Sequence, residues 1–188
     1  QRSETPSDQD VRQAGLHSVS PPIKLVGDSM VRNLGELINM SGNSSHQIAR
    51  GKKIDFICEA AVEATHESDE ELMILQGGGN GLLHIGVDNT VKHVMDCIKK
   101  VKNRNKKTHM AIVGVLGRPG ETDEYETRRR QINSRLHQEI MKLKIKNFKN
   151  KDDGGIGFID MDPLLGCDMY ERDGVHLNRI GDKVFATR

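Results

Sequence analysis

Short apolar runs, most of them closed by a glycine or a polar turn, alternate along this chain with longer stretches whose apolar residues recur every three to four positions. The runs at residues 23–26, 54–58, 72–76, 110–116 and 157–160 read as five strands. Between and after them, residues 31–38, 60–65, 87–101, 124–143 and 178 onward carry helical spacing, with Ile132, Leu136, Ile140 and Leu143 on one face of the longest stretch. A strand that is apolar without alternation is buried on both faces, and strands alternating with helices pair in parallel. The pattern therefore predicts an α/β protein, a parallel sheet layered between helices. No internal repeat is visible.

The 188 residues suit one compact domain with a polar margin. Residues 1–20 are rich in Ser, Gln and Asp and lead into Pro21-Pro22, which predicts a tail or linker followed by a single domain over 21–188. The sequence opens at Gln1 and stops at Arg188 inside a helical stretch, so it is expected to be a domain of something longer. With 3% aromatic residues and no Trp, base-stacking and sugar-platform functions are disfavoured, and a formal net charge of +1 gives no overall pull toward nucleic acid or membrane. Cys58, Cys97 and Cys167 match neither a disulfide framework nor a zinc pattern, which predicts reduced thiols and an intracellular, cytoplasmic setting.

The chemistry concentrates where strands end. Gly27-Asp28-Ser29 follows the first run, Gly77-Gly78-Gly79-Asn80-Gly81 the third, and Gly117-Arg118 the fourth. In open parallel sheets ligands bind outside the carboxyl ends of the strands, so these segments should share one edge. A serine needs a base to become a nucleophile, and the base needs a third group to orient it. Asp173 and His176, three apart, could supply both, with Ser29 as nucleophile. Each motif alone reads as well structurally: Ser29 as a helix cap, Asp173-Gly174 as a turn. The amide of Asn80 could donate to an oxyanion, with Gly79 allowing close approach of substrate and Arg118 contacting an anionic head group. The glycine run is no P-loop, because Leu82-Leu83 stand where Lys-Ser/Thr is required. Asp160, Asp162, Asp168 and Asp173 raise a metal-dependent alternative, but no histidine or carboxylate cluster elsewhere completes it; no metal or organic cofactor is expected.

Taken together, Gly27-Asp28-Ser29, Gly78-Gly79-Asn80 and Asp173-x-x-His176 resemble the SGNH (GDSL-like) hydrolase superfamily over roughly residues 23–188. The resemblance implies a three-layer α/β/α sandwich around a five-stranded, flavodoxin-like parallel sheet. It implies a Ser29–His176–Asp173 triad, and an oxyanion hole built from the Ser29 N–H, Asn80 and a backbone N–H after the second strand. With that strand placed at 54–58, the last donor falls on Ala60 or Ala61, with Gly51 as an alternative ahead of the strand. The family's usual Gly-x-Asn-Asp is Gly-Gly-Asn-Gly here, so its buttressing carboxylate is replaced by Gly81.

More finely, residues 25–33, 77–82, 128–136 with Asn133, and 173–178 with Gly181 resemble the esterase domain of non-LTR retrotransposon first-open-reading-frame proteins. That implies acetyl or lipid-like ester substrates, a ribonucleoprotein setting, and self-association through regions outside this domain. Basic runs at 99–107, 128–130 and 142–151 lie on or beside the two long helices and could meet RNA or an anionic membrane surface; a solvated helix face is the plainer reading. Two readings of different kinds thus follow: a serine acyl-ester hydrolase, or a catalytically weak hydrolase fold serving as a binding module.

Overall fold

A computed structural model describes residues 21–39, 44–67, 69–147 and 153–187. The tail expected over 1–20 and part of the last basic run lie outside the described residues. The strands are β1 (Ile23–Gly27), β2 (Ser44–Ile48), β3 (Leu72–Leu75), β4 (His109–Val113) and β5 (Ile156–Ile159). All pair in parallel, in the order β2-β1-β3-β4-β5. The helices are α1 (Leu34–Asn39), α2 (Ile54–Ala64), α3 (Leu82–Ile85), α4 (Val87–Arg104), α5 (Asp123–Asn147) and α6 (Arg179–Ala186), with one-turn 3-10 helices at Ser29–Val31 and Cys167–Met169.

The period-two geometry of the strands divides the core. Val26, Met73, Leu75, Met110 and Ile112 face a cluster completed by Ile57 and Ala61 of α2, Val94 and Ile98 of α4, and Ile132, Leu136 and Ile140 of α5. Leu25, Ile74 and Val113 face the opposite way, toward Leu34 of α1 and Phe185 of α6. Helices on both faces of a parallel sheet make the three-layer sandwich.

The second strand departs from expectation. Residues 54–58 belong to α2, and the short helix expected at 60–65 is its continuation. Ile54, Ile57, Cys58, Ala60 and Ala61 are buried at helical spacing, while Asp55 and Phe56 both face outward, Phe56 being 45% exposed. A strand would have put Asp55 and Phe56 on opposite faces. The real β2, Ser-Ser-His-Gln-Ile, is a polar edge strand with exposed residues at its centre, and a strand without an apolar run gives no hydrophobic signal.

On the sheet face, β4 runs on into a loop that α5 holds by its backbone. Asn133 takes the Val115 N–H on Oδ1 at 2.8 Å and returns Nδ2–H to the Val115 carbonyl at 3.0 Å. Arg129, 3% exposed, donates to the same carbonyl and forks onto Asp162 and Glu126 at 2.6–2.9 Å. The Arg129 hydrogen bonds, against the opposing pull of burial and with help from Arg130, hold the Glu126 carboxyl down at about 2 from an ordinary 4.5. A depressed carboxyl contributes stability that is complete above its unfolded value and lost as pH falls through the folded one. Denaturation midpoints should therefore fall between about pH 4.5 and 2, and Glu126→Gln should flatten that part of the profile; an unchanged profile would refute the assignment.

Candidate active site

The crossing from β1 outward to β2 and back to β3 opens a crevice at the carboxyl ends of β1 and β3, the switch point in strand order. Ser29 stands there because β1 ends at Gly27 and Asp28 turns the chain. The Asp28 Oδ1 accepts the Met30 N–H at 2.9 Å, capping the 3-10 turn that Ser29 opens, and buried Met30 and Val31 pin that turn to the core. Asp28 is wholly buried, and its Oδ2 has no hydrogen-bond partner. Burial pushes its carboxyl up, against the Met30 N–H and the nearby Arg118 and His176 charges.

The partner of Ser29 comes from the loop before α6. Asp173 Oδ1 accepts the backbone N–H groups of Val175 and His176 at 2.9 and 3.0 Å, folding a tight turn. Its Oδ2 accepts the His176 Nδ1–H at 2.6 Å, and His176 Nε2 accepts the Ser29 hydroxyl at 3.0 Å. The carboxylate fixes the imidazole with its proton on Nδ1 and its lone pair toward the serine. The His176 side chain and the two N–H groups hold Asp173 well below the usual carboxylate range, so it stays ionised. Glu171 N–H donates to the His176 carbonyl at 2.7 Å, Tyr170 bridges to Leu177, and Asn178 Nδ2 donates to the Asp168 and Tyr170 carbonyls. Gly174, at φ +64°, lies so close to Gly120 that a Cβ would sit 2.8 Å from its nitrogen. Asn33 Nδ2 donates to buried Asp182 of α6 at 2.9 Å, tying the segment that follows Ser29 to the helix that follows His176.

Across the crevice, Asn80 ends the glycine run after β3. Its Nδ2 donates to the Lys52 carbonyl at 3.2 Å and its Oδ1 accepts from Arg118 Nη2 at 2.8 Å. Ala60 and Ala61 must be removed from the oxyanion site. They are buried within α2, where a mid-helix N–H is committed to the carbonyl four residues earlier. The loop that follows β2 contains Gly51, at φ +67°, beside the Lys52 carbonyl that holds Asn80. Arg118 and Gly79 pack against each other beside Asn80. The Arg118 side chain is 8% exposed and packs under the glycine run, where a Cβ on Gly79 would stand 2.7 Å from Nη2. Gly79 is buried, while Arg118 also lines a cavity with Gly117, Pro119, Glu121 and Tyr170. Gly51, an alternative ahead of the expected strand, instead follows the real β2, and nothing in the sequence signalled that Arg118 pairs with Asn80.

Among the described residues, seven side chains of the basic runs are paired within the molecule. Arg128 meets Glu124, Arg129 and Arg130 meet Glu126, Lys99 meets Asp96, Arg104 meets Glu67, and Lys142 meets Glu139. Lys102 turns inward onto the Thr108 and Gly154 carbonyls. Among the described residues no three His, Cys, Asp or Glu side chains group to hold a metal ion, and no helix is long and apolar enough to cross a membrane.

A five-stranded parallel sheet in this order, layered between helices, is the fold of the SGNH hydrolases. The chain belongs to the GDSL-like lipase/acylhydrolase family, whose model matches residues 12–188. That membership makes it a hydrolase of the esterase and acylhydrolase class. No curated protein matches it in sequence. Its fold is similar to that of a member of the lipolytic protein G-D-S-L family from Veillonella parvula, at 16% identity over 89% of this chain and 95% of that one, with a TM-score of 0.68. A carbohydrate esterase family 3 protein from Talaromyces cellulolyticus superposes at TM-score 0.67, with 14% identity over 89% and 93% of the two chains. A family 3 carbohydrate esterase from Clostridium thermocellum superposes at 0.63, with 17% identity over 89% and 92%.

Proposed function

We propose that the domain is a serine esterase that hydrolyses acyl esters through Ser29, His176 and Asp173. The observation that carries this reading is the continuous hydrogen-bonded chain from the Ser29 hydroxyl through both imidazole nitrogens to Asp173. Ser29 Oγ attacks the ester carbonyl while its proton passes to His176 Nε2, and Asp173 stabilises the imidazolium. The tetrahedral oxyanion is held by the Ser29 N–H, the Asn80 amide and a backbone N–H of the Gly51 loop. The intermediate collapses, and His176 gives its proton to the departing alcohol. Water then attacks the acyl-serine, yielding its proton to His176, and the serine leaves with that proton as the free acid is released. The sum is ester plus water to acid plus alcohol, with no cofactor in the sequence of steps.

Short acyl esters are the proposed substrates, acetyl esters first, which agrees with an acetyl esterase among the structural neighbours. The motif likeness to retrotransposon esterase domains supports an intracellular ribonucleoprotein as the setting, with RNA or an anionic membrane surface as partner and lipid-like esters as the alternative substrate. Turnover of p-nitrophenyl acetate, butyrate and octanoate in the presence of EDTA, with mass-spectrometric mapping of a fluorophosphonate adduct, tests the reading. We expect turnover that EDTA leaves unchanged, falling with acyl length, and a single adduct on Ser29. An unlabelled Ser29 in folded protein would overturn it and favour a binding module, for which Gly81 in place of the family's carboxylate already argues.

A further inference from the structure

We propose that Arg118 is the positioning residue of the oxyanion hole, fixing which way the Asn80 amide faces and strengthening it as a donor. This rests on the esterase reading above and adds to it a member that the motifs do not contain. A side-chain amide can turn end for end, presenting either its oxygen or its NH2 to the crevice, and only the second can stabilise an oxyanion. A guanidinium has donors alone, so Arg118 Nη2 at 2.8 Å can be satisfied only by Asn80 Oδ1. The Lys52 carbonyl is an acceptor alone, and at 3.2 Å it takes one of the two Nδ2 hydrogens. The two contacts agree on one orientation and leave the second Nδ2 hydrogen for the substrate. A cation on the amide oxygen also draws electron density from the nitrogen, which makes that remaining N–H a better donor.

The surroundings hold Arg118 to this task. It lies over the Tyr125 ring, 5.5 Å from its centroid, with Glu121 3.7 Å from Nη1. Gly79 leaves the space it passes through. Its Nε is buried and has no hydrogen-bond partner among the described residues. Gly81 stands where the family places a carboxylate beside the Asn, and here Arg118 bonds the Asn80 amide.

The test is the rate at which a fluorophosphonate modifies Ser29, because phosphorus passes through an oxyanion as Ser29 Oγ attacks, fluoride leaves and the serine proton passes to His176. Parent, Arg118→Met, Arg118→Lys, Asn80→Ala and the Asn80→Ala/Arg118→Met pair are compared, with melting curves to establish folding. Arg118→Met should lower the rate at saturating probe by about 10–100-fold, part of what a whole oxyanion donor is worth, with the half-saturating concentration within about twofold. In the Asn80→Ala background the same change should do nothing more, since its effect runs through that amide. Arg118→Lys should recover part of the rate. Should Arg118→Met not fold, the lysine variant combined with Asn80→Ala carries the same comparison. Additive losses, or a loss confined to half-saturation, would overturn the inference while leaving Ser29 as nucleophile. Failure of the parent to label at Ser29 would overturn both.

Discussion

Replacing Ser29 with alanine is expected to lower ester turnover by about 10⁴-fold or more, with no comparable change in stability. The loss is large because the hydroxyl is the atom His176 Nε2 accepts from, at 3.0 Å. The fold should not notice, because the turn around Ser29 is held by the Asp28 cap and by the buried side chains of Met30 and Val31. Surface and half-buried substitutions away from caps and packing stay within about 0.5 kcal/mol. Turnover of p-nitrophenyl acetate and a urea unfolding curve, run on both proteins, check the two halves. A variant that keeps its fold and retains turnover within about tenfold of the parent would show that catalysis lies elsewhere.

Asp173→Asn should follow, with a fall of about 10³–10⁴-fold in kcat. The substitution is informative because it separates the two jobs of this side chain. An asparagine oxygen in the place of Oδ1 can still accept from the Val175 and His176 N–H groups, so the turn survives. In the place of Oδ2 it puts an NH2 against His176 Nδ1. The imidazole must then carry its proton on Nε2, where it can no longer accept from Ser29. The Asp173 side chain is 49% exposed, so water can partly stand in for it, which is the reason for placing its effect below that of Ser29. A kcat within about tenfold of the parent would mean that the carboxylate does no more than shape the turn.

Much of this architecture is legible before any coordinates. The runs at 23–26, 72–76, 110–116 and 157–160 announce themselves because a strand covered on both faces must be apolar throughout, and β1, β3, β4 and β5 fall on them. Ser29, Asn80 and Arg118 could be placed on one edge from topology alone, since each follows a strand of a parallel sheet. What the pattern could not supply was β2, whose polar residues carry no hydrophobic signal, and with it the loop holding Gly51. That single misplacement carried the backbone donor to Ala60 or Ala61. The pairing of Arg118 with Asn80 was illegible for a different reason. It joins residues 38 apart through side-chain directions, and no periodicity reports those.

The polarity that hides β2 from a hydrophobic reading has a second consequence, for how this molecule keeps company with its own kind. An outer strand leaves one row of backbone N–H and C=O groups without a neighbouring strand, a template on which another chain can add. Here that outer strand is five residues long, with Ser45, His46 and Gln47 exposed at its centre and no apolar stripe to reward a newcomer. Along this border the sheet resists the addition of a further strand. Neighbouring copies can then lie side by side at β2 without adding strand to strand.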